Sequence, residues 1–426
     1  MKPAKLNREL TTGDFFKIVT DEVNHAEDFK NGTVNVSDIR VGRIQYVDLV
    51  QEGGGVLGIA LLGYTYILEK AGIRFFSLAG TSAGAINTLL LASLKEDTRT
   101  KSERILEYLI NKNLFDLVDG DRTIKRFIQS YLDDSITSMG IKKIFILLKA
   151  LFILLFRLGL NPGKDFENWI ETILHENGIY TTDDLLEGLK DLPGLKPTDK
   201  EVLRRRIVIV ASDISTQTKV QFPEMADLYW KDWQKVNPAR YLRASMSIPL
   251  FFRPVKIKHI SNDPVTLDLW ERKADYKGKR LPCPIRMVDG GILSNFPINV
   301  FHNETRVPKL PTFGVRLSAY REEPNKTGRL GSFVWSMIKT MKQLYDTDFL
   351  MKHEDYQRLI CNLDTDNKFN WLNFNMSSED KLALFKIGAE GAIKFLDGFE
   401  WEKYKILRED ILRRKITYPP RYVTGP

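Results

Sequence analysis

The chain of 426 residues has few of the residues that build covalent or metal-held scaffolds. Cys283 and Cys361 are its only cysteines, too few for a disulfide framework or a cysteine-rich zinc module, and their scarcity suits a reducing compartment. The five histidines are widely spread, and neither an HExxH nor a CxxC pattern occurs. The sequence therefore predicts no metal site.

The amino-terminal segment lacks the continuous apolar core of a secretory signal, so we expect an intracellular, cytoplasmic protein. Apolar residues make up 43% of the chain and charged residues 28%, which is typical of a globular protein. Lys and Arg number 63 against 55 Asp and Glu, a net charge of +8. That excess fits a nucleic acid or an anionic membrane as partner, and it fits plain solubility equally well. No recognised nucleic-acid module accompanies it, so we expect no nucleic-acid partner.

Short apolar segments of strand character alternate with segments whose apolar residues recur at helical spacing. Helices are predicted at 57–72 and from residue 81 onward. Strands are predicted within 44–50, 74–80, 204–214, 218–222, 285–298 and, as the last one, 312–318. This alternation predicts an α/β fold with a mostly parallel central sheet flanked by helices.

The chain divides into three predicted parts. A polar lead-in at 1–43 precedes a central domain at 44–320, and a helical region at 321–426 follows it. The central domain carries a mostly helical insertion at 95–200. Within the same domain, the polar stretch 258–282 is predicted to be a surface excursion.

A glycine-rich loop, Gly53-Gly54-Gly55-Val56-Leu57-Gly58, connects the first predicted strand to a helix. A dinucleotide site would need an acid at the end of the next strand, which has none, and no Lys-Ser/Thr follows to make a phosphate-binding P-loop. Two interpretations remain. The glycines allow close packing of helix and strand, or their amides form an anion or oxyanion loop, with Gly53, Gly54, Gly55 and Gly58 as the candidates.

The second strand ends in Gly80-Thr81-Ser82-Ala83-Gly84, a GxSxG pattern. The pattern is common by chance, but between an apolar strand and an apolar helix it indicates a sharp turn that exposes a nucleophilic serine. A right-handed crossover would place this turn and the glycine loop at the same carboxyl edge of the sheet. Amides near Gly54 and Gly55 would then face the oxygen of a carbonyl that Ser82 attacks.

A nucleophilic serine needs a base, and the residues leave two candidates open. Asp289 ends a strand before two glycines and can reach a serine on the same edge, although a plain Asp-Gly turn is commoner. An Asp–His triad would use His302 or His353, both of which lie in polar surroundings and are interpreted as surface residues.

The motifs GGGVLG, GTSAG and VDGG, in this order, resemble those of the patatin-like phospholipase family, and ARYLRASMSIPLFFRPV at 239–255 resembles the family segment before the aspartate. The resemblance spans roughly 44–318. It implies a three-layer α/β sandwich, a Ser82–Asp289 dyad, an oxyanion loop within 53–58, and hydrolysis of phospholipids or other acyl lipids without metal or cofactor. The alternative is a catalytically idle module that keeps the fold and binds lipid or protein.

Residues 144–160 form an apolar stretch interrupted only by Lys149 and Arg157. As a helix it would be roughly 26 Å long, short of the roughly 30 Å hydrocarbon core, so a membrane-spanning helix is not expected. A basic, strongly apolar helix suits the surface of a membrane, and we expect 141–160 to make peripheral membrane contact. A lid over the site and a buried core helix are the other interpretations. The sequence predicts neither the oligomeric state nor the lipid head group.

Overall fold

The computed structural model describes residues 10–417, apart from 33–34, 96–98, 124, 126–140, 191, 193, 202, 302, 304, 366–368 and most of 318–348, where only 324, 327–328, 332–333, 336–337 and 339–341 are described. The strands are β1 Arg40–Val41, β2 Ile44–Gln51, β3 Ile73–Thr81, β4 Gly159–Asn161, β5 Ile207–Asp213, β6 Thr218–Phe222, β7 Leu250–Phe252, β8 Val255–Ile257, β9 Ile285–Asp289, β10 Thr312–Arg316 and β11 Ile360–Asn362.

The α-helices are α1 Thr12–Lys17, α2 Thr20–Asn31, α3 Gly58–Lys70, α4 Ala83–Ser93, α5 Lys101–Ile110, α6 Ile141–Arg157, α7 Lys164–Glu176, α8 Thr182–Lys190, α9 Pro197–Lys200, α10 Ala239–Ser245, α11 Pro264–Ala274, α12 Glu354–Gln357, α13 Ser378–Gly398 and α14 Trp401–Thr417.

The central sheet has the strand order β11-β10-β2-β3-β5-β9-β8, with β1 paired to β2 and β6 paired to β5. The five strands from β11 to β5 run parallel, whereas β6, β8 and β9 extend the sheet in antiparallel pairs. Helices flank the sheet, as the α/β prediction required. The predicted fold class is therefore confirmed.

Both faces of the sheet are covered because successive strand residues point to opposite sides. In β2, Val47 and Leu49 enter the larger core beneath α3 and α13, whereas Val50 joins the smaller cluster around Phe296 and Tyr356 on the other face. Buried parallel strands read as continuous apolar runs for this reason. Because both faces of the sheet are covered, a site must lie at the ends of the strands.

Helices α3 and α13 pack against each other more closely than side chains normally allow. A β-carbon on Gly63 would collide with the carbonyl group of Phe385, and one on Gly388 would collide with that of Ala60. Phe15 of α1 meets Phe385 edge-to-face, with ring centroids 5.3 Å apart.

The predicted division of the chain into a lead-in, a central domain and a helical region, with boundaries at residues 43 and 320, stays a prediction.

Two predictions along the chain are wrong. The strand at 312–318, observed as β10, is not the last, because β11 pairs with it in parallel at the edge of the sheet. Three residues are too few to show a period in the sequence. The stretch 258–282 is not merely a surface excursion, because α11 buries Trp270 completely against Leu228, whose carbonyl accepts the indole N–H at 3.2 Å.

The apolar stretch forms α6, which is connected directly to β4. Within the described part of the chain, no helix combines the length and the apolar character that crossing a bilayer requires. Six large apolar side chains of α6 are more than half exposed, so α6 is not a buried core helix. The lid and membrane-contact interpretations both remain.

Candidate active site

The serine turn is packed so tightly that only glycine fits on either side of it. A β-carbon on Gly80 would collide with the carbonyl group of Gly84, and one on Gly84 would collide with that of Gln51 at the end of β2. Ser82 itself has φ +53° and ψ −117°, a conformation that L-residues rarely adopt. The turn is thus the strained strand-to-helix elbow that the GxSxG context predicted, but Ser82 is buried here and not exposed as expected.

The glycine loop lies directly against the serine. A β-carbon built on Gly53 would lie 3.1 Å from Ser82 Cβ, and one on Gly58 would lie 3.1 Å from Ala83 Cβ. Strands β2 and β3 pair in parallel through Gln51 and Gly80, which brings their carboxyl ends together. Loop and serine turn therefore share one edge of the sheet.

Asp289 reaches the same edge from the other side of β5. Thr81 pairs with Val210 of β5, and Asp289 pairs with the next residue, Ala211. At roughly 4.8 Å per strand spacing, the backbones near Ser82 and Asp289, which are separated by β5, lie about 10 Å apart. A β-carbon on Gly290 would lie 3.0 Å from Thr81 Cγ2, so the two turns are in contact.

One short segment touches both candidate catalytic residues. Ser245 at the end of α10 accepts a hydrogen bond from the Ser82 amide at 2.9 Å, and the Ser247 carbonyl accepts one from the Asp289 amide, also at 2.9 Å. Between them, the Met246 sulfur lies 3.3 Å from Ser82 Oγ. The residues after α10 therefore hold the serine turn and the aspartate strand together.

Arg243 holds the residues after α10 in place through three hydrogen bonds. Its guanidinium donates to Ser247 Oγ at 2.6 Å and to the carbonyl oxygens of Pro162 at 2.6 Å and Arg253 at 2.8 Å. Burial lowers the pKa of Arg243 to about 10, so the side chain remains a cation at neutral pH. Because this buried charge is held by three acceptors, moving the segment would break strong, charge-assisted hydrogen bonds.

The site is closed in this conformation. Ser82 and Asp289 have no exposed surface, and Met246 is 3% exposed. The Ser82 hydroxyl is covered by the Met246 thioether. A substrate can reach the serine only after this side chain moves.

The glycine-loop amides are not equally available. The Gly53 amide donates to the Asn295 carbonyl at 3.0 Å, and the Gly58 amide donates to the Gly55 carbonyl. In this closed conformation both amides are bonded within the protein, and the prediction that all four glycines serve an oxyanion hole stays a prediction. Gly54 and Gly55, whose amides bond no other described residue, remain the candidates.

Glu52 and Asn295 support the loop, and the sequence reasoning drew nothing from either. The buried Glu52 carboxylate accepts from the Leu317 amide at 2.6 Å and from Asn295 Nδ2 at 3.3 Å. Asn295 Nδ2 also donates to the Gly53 carbonyl at 3.0 Å. The sequence did offer two signals: an acidic residue next to three glycines, and an asparagine shortly after Asp289. Only the fold shows that these two side chains pair.

An apolar cavity of about 60 Å³ begins beside the serine turn. Its walls include Met246, Phe252 and Phe374, and it reaches Trp169 beneath the glycine loop. Pockets that hold small molecules usually measure roughly 300–1,000 Å³, so this cavity is too small for a fatty acyl chain as it stands. It would have to widen to hold one.

The histidines take other positions. His353 is partly buried, and its Nδ1 lies 2.8 Å from the Phe349 carbonyl oxygen, so it is not the free surface residue expected. His302 lies outside the described residues. Among the described residues, no group of three or more metal-ligating side chains gathers, and the prediction of no metal site stays a prediction.

Comparison with known proteins identifies the class that this fold and site define. The model of the patatin-like phospholipase family, Patatin, matches residues 49–302, more than half of the chain. The chain belongs to the patatin-like phospholipase family. This match includes the glycine loop, the serine turn and Asp289.

Particular relatives are similar over most of the chain. The uncharacterized protein YqhO of Bacillus subtilis strain 168 is 30% identical over 353 residues, which cover 82% of this chain and 98% of YqhO. The crystal structure of VipD from Legionella pneumophila is similar with a TM-score of 0.43 and 15% identity, covering 85% of this chain and 70% of that chain. Family membership supports lipid hydrolysis in general.

Proposed function

We propose that this protein is a lipid acyl hydrolase of the phospholipase A type, with Ser82 as nucleophile and Asp289 as general base. The observation that carries the proposal is the contact between the two turns: Gly290 after the aspartate lies against Thr81 before the serine. Gly53 lies against Ser82 from the third side. The serine turn, the segment after Asp289 and the glycine loop are thus neighbours at one edge of the sheet, which supports the proposal.

In the proposed reaction, Ser82 Oγ attacks the ester carbonyl carbon of an acyl lipid while the Asp289 carboxylate accepts the hydroxyl proton. The carbonyl oxygen becomes negatively charged, and the amides of Gly54 and Gly55 donate to it. The alcohol part, a lysolipid, leaves with the proton held by Asp289. Water then attacks the acyl-serine ester and releases the fatty acid.

The cavity beside Ser82 supports an apolar acyl group as the bound part of the substrate. Its lining is almost entirely apolar, and it starts at Ala83 and Met246, next to the candidate nucleophile. Movement of Met246 would both uncover Ser82 Oγ and enlarge this cavity. The same movement therefore prepares the serine and the acyl site.

We also propose that α6 brings the enzyme to membranes as a peripheral protein. The exposed apolar side chains are Phe145 (69%), Leu148 (55%), Leu151 (51%), Phe152 (61%), Leu155 (66%) and Phe156 (67%). Arg157 on the same helix is exposed and suits anionic head groups, whereas Lys149 is paired with Asp121 at 2.8 Å. Through β4, which pairs with β7, the helix is joined to the segment that starts at Met246.

The deciding experiment compares wild type with Ser82→Ala and Ser93→Ala on mixed lipid vesicles, with mass spectrometry of the released fatty acids and lysolipids. Ser93 is also buried, and its hydroxyl donates only to the Leu90 carbonyl, so Ser93→Ala is the matched control. We expect Ser82→Ala alone to lose hydrolysis and fluorophosphonate labelling. Asp289→Asn should lower kcat by about 100-fold or more.

Undiminished hydrolysis by Ser82→Ala would exclude Ser82 as the nucleophile. If the folded wild type neither hydrolyses lipid nor labels on vesicles, the catalytically idle module is the better description.

A further inference from the structure

A second cavity, of about 370 Å³, opens at the amino-terminal edge of the sheet, and we call it the amino-edge cavity. Thr312 at the start of β10 and Arg206 just before β5 line it, as does Asp48 in the middle of β2, which pairs with Thr312. Ser77 of β3 also lines it, five residues before Ser82, or about 16 Å along the strand. The cavity has the size of a small-molecule site and is separate from the serine site.

The lining of the amino-edge cavity is strongly basic. It contains one acid, Asp48, and five cationic side chains: Arg204, Arg206, Arg306, Lys309 and Arg408. Burial raises the pKa of Asp48 to about 7, so below neutral pH this carboxyl is mostly uncharged and offsets little of the positive charge. A concave surface with one sign of charge concentrates ligands of the opposite sign.

Three of the five cations are held in place by acids outside the cavity lining. These ion pairs are Arg206 with Glu224 at 2.7 Å, Lys309 with Asp199 at 2.7 Å, and Arg408 with Asp355 at 2.6 Å. Fixed cations lose little conformational entropy when a ligand binds. The pairs therefore make the basic lining a preformed feature.

Arg408 is the buried member of the set, at 2% exposure. Its Nη2 donates to the Asn303 carbonyl at 2.7 Å and to the Arg306 carbonyl at 3.3 Å, which fixes the loop that carries Arg306. Its Nε has no hydrogen-bond partner among the described residues. A buried guanidinium with a spare donor in a cavity wall is a suitable point for an acceptor oxygen.

Arg204 and Arg306 have exposed side chains at the same cavity, and within the described part of the chain neither forms an ion pair. Phe76, Phe301 and Tyr404 also line the cavity. The lining thus combines aromatic side chains with two arginines that form no ion pair among the described residues. Planar arginine donors match phosphate oxygens, and the aromatic side chains match an apolar ring.

We propose that the amino-edge cavity binds a small soluble molecule that carries both phosphate and an aromatic ring. A soluble source is favoured over a lipid head group because the exposed face of α6 is joined to the Ser82 edge. We therefore expect a protein docked on a bilayer through α6 to present the Ser82 edge, and not the amino edge, to the lipid. The proposal goes beyond the proposed hydrolysis, and its test measures binding alone.

The test is calorimetric titration of the full chain with ADP, phenyl phosphate and inorganic phosphate, with adenosine as the phosphate-free probe. We expect ADP or phenyl phosphate to bind wild type at least tenfold more tightly than adenosine does. Arg204→Gln with Arg306→Gln should weaken that binding at least tenfold. The matched control, Arg272→Gln with Arg280→Gln, removes the same charge from other exposed arginines and should bind within twofold of wild type.

Absence of binding by every phosphorylated probe would overturn the proposal, as would equal weakening in both double variants, which would reduce the effect to net charge. A third arm uses vesicles with and without phosphatidylinositol 4-phosphate, in the Leu151→Asp, Leu155→Asp background that removes the α6 contact. Binding to the phosphorylated vesicles alone, lost with Arg204→Gln and Arg306→Gln, would overturn the soluble source and assign a lipid head group.

Discussion

The backbone amide of Ser82 donates a hydrogen bond to the hydroxyl oxygen of Ser245 over 2.9 Å, across 163 positions of sequence. Neither residue has exposed surface. The bond ties the strained turn to the end of α10, where the next residue, Met246, covers the Ser82 hydroxyl. The orientation of the candidate nucleophile thus depends on a segment far away in the chain.

Ser245→Ala removes the acceptor and leaves the Ser82 amide buried without a partner. We expect a destabilisation of about 1–3 kcal/mol and a fall in kcat larger than any change in KM, because the turn loses its orientation. Ser93→Ala is again the control for loss of a buried hydroxyl. Kinetics on a short-chain ester and urea unfolding measure both effects, and an unchanged kcat in Ser245→Ala would contradict a positioning role.

Met246→Ala should uncover Ser82 Oγ. We expect faster labelling by a fluorophosphonate in the absence of lipid, together with a stability loss of about 2–5 kcal/mol from the cavity. Met225→Ala creates a comparable cavity in the same buried cluster, but the Met225 sulfur contacts the Gln221 amide of β6 and not Ser82, so the labelling rate should be unchanged. Equal labelling rates in wild type and Met246→Ala would show that this side chain does not limit access.

Gly55→Ala tests the oxyanion loop. Gly55 has φ +58°, and an added β-carbon would collide with the Trp371 carbonyl, so the loop must shift. Losing one oxyanion donor typically costs about 2.7–4 kcal/mol in the barrier, so we expect kcat to fall by about 100-fold or more. The control Gly188→Ala, in the open interior of α8, should stabilise the protein by about 0.5–1 kcal/mol and keep its activity.

The membrane contact is tested by flotation with anionic vesicles. Leu151→Asp with Leu155→Asp should abolish flotation, because both side chains are on the exposed face of α6. Val265→Asp with Ile406→Asp, at 77% and 59% exposure, adds the same charges on other surfaces and should still float. Flotation of all three proteins to the same extent would reject α6 as the contact.

Asp48→Asn tests the buried carboxyl at the amino edge. Burial raises the pKa of Asp48 from 3.8 to about 7 in the folded state. As the pH rises, the unfolded state therefore releases this proton first, and the free energy of unfolding falls between about pH 4 and pH 7. Asn keeps an oxygen that can accept from the Ser77 amide but cannot ionise, so the variant should lack this fall, which is at most about 4 kcal/mol.

Asp263→Asn is the control with the opposite sign. Hydrogen bonds from Ser261 and Thr266 lower the pKa of Asp263 to about 2, so its stabilisation is lost only as the pH falls below about 4. Its removal should leave the slope between pH 4 and pH 7 unchanged. Denaturant unfolding at several pH values measures both variants, and equal slopes for wild type and Asp48→Asn would contradict the raised pKa.

Much of the fold was readable from the sequence because its strands are buried on both faces. The apolar runs at 44–50 and 74–80 predicted β2 and β3 to within a residue or two, and the strand predicted at 218–222 is confirmed as β6, which pairs antiparallel with β5. The final edge strand β11 was missed, since three residues carry no period. Helix α11 was missed because its one fully buried aromatic, Trp270, stands within a polar stretch.

The candidate site was only partly readable. Glycines that flank a serine or follow an aspartate leave a local signal, since no other residue fits those turns. Ser245 and Met246 left no local signal, and Glu52 and Asn295 left only an acid and an amide close to the motifs, because each acts through a partner distant in the chain. The bond between the Gly53 amide and the Asn295 carbonyl left no local signal for the same reason, and the use of this amide in an oxyanion hole stays a prediction.

By itself, the sequence determined the order of strands and helices, the sharp turns at the glycine motifs and the apolar stretch of α6. These depend on local periodicity and on the conformations that each residue allows. Only the tertiary structure decided which amides stay available at the glycine loop, that Met246 covers Ser82, and that five cations gather at the opposite edge of the sheet. Such features depend on hydrogen bonds and charges between residues that only the packing of the sheet brings within a few ångströms of each other.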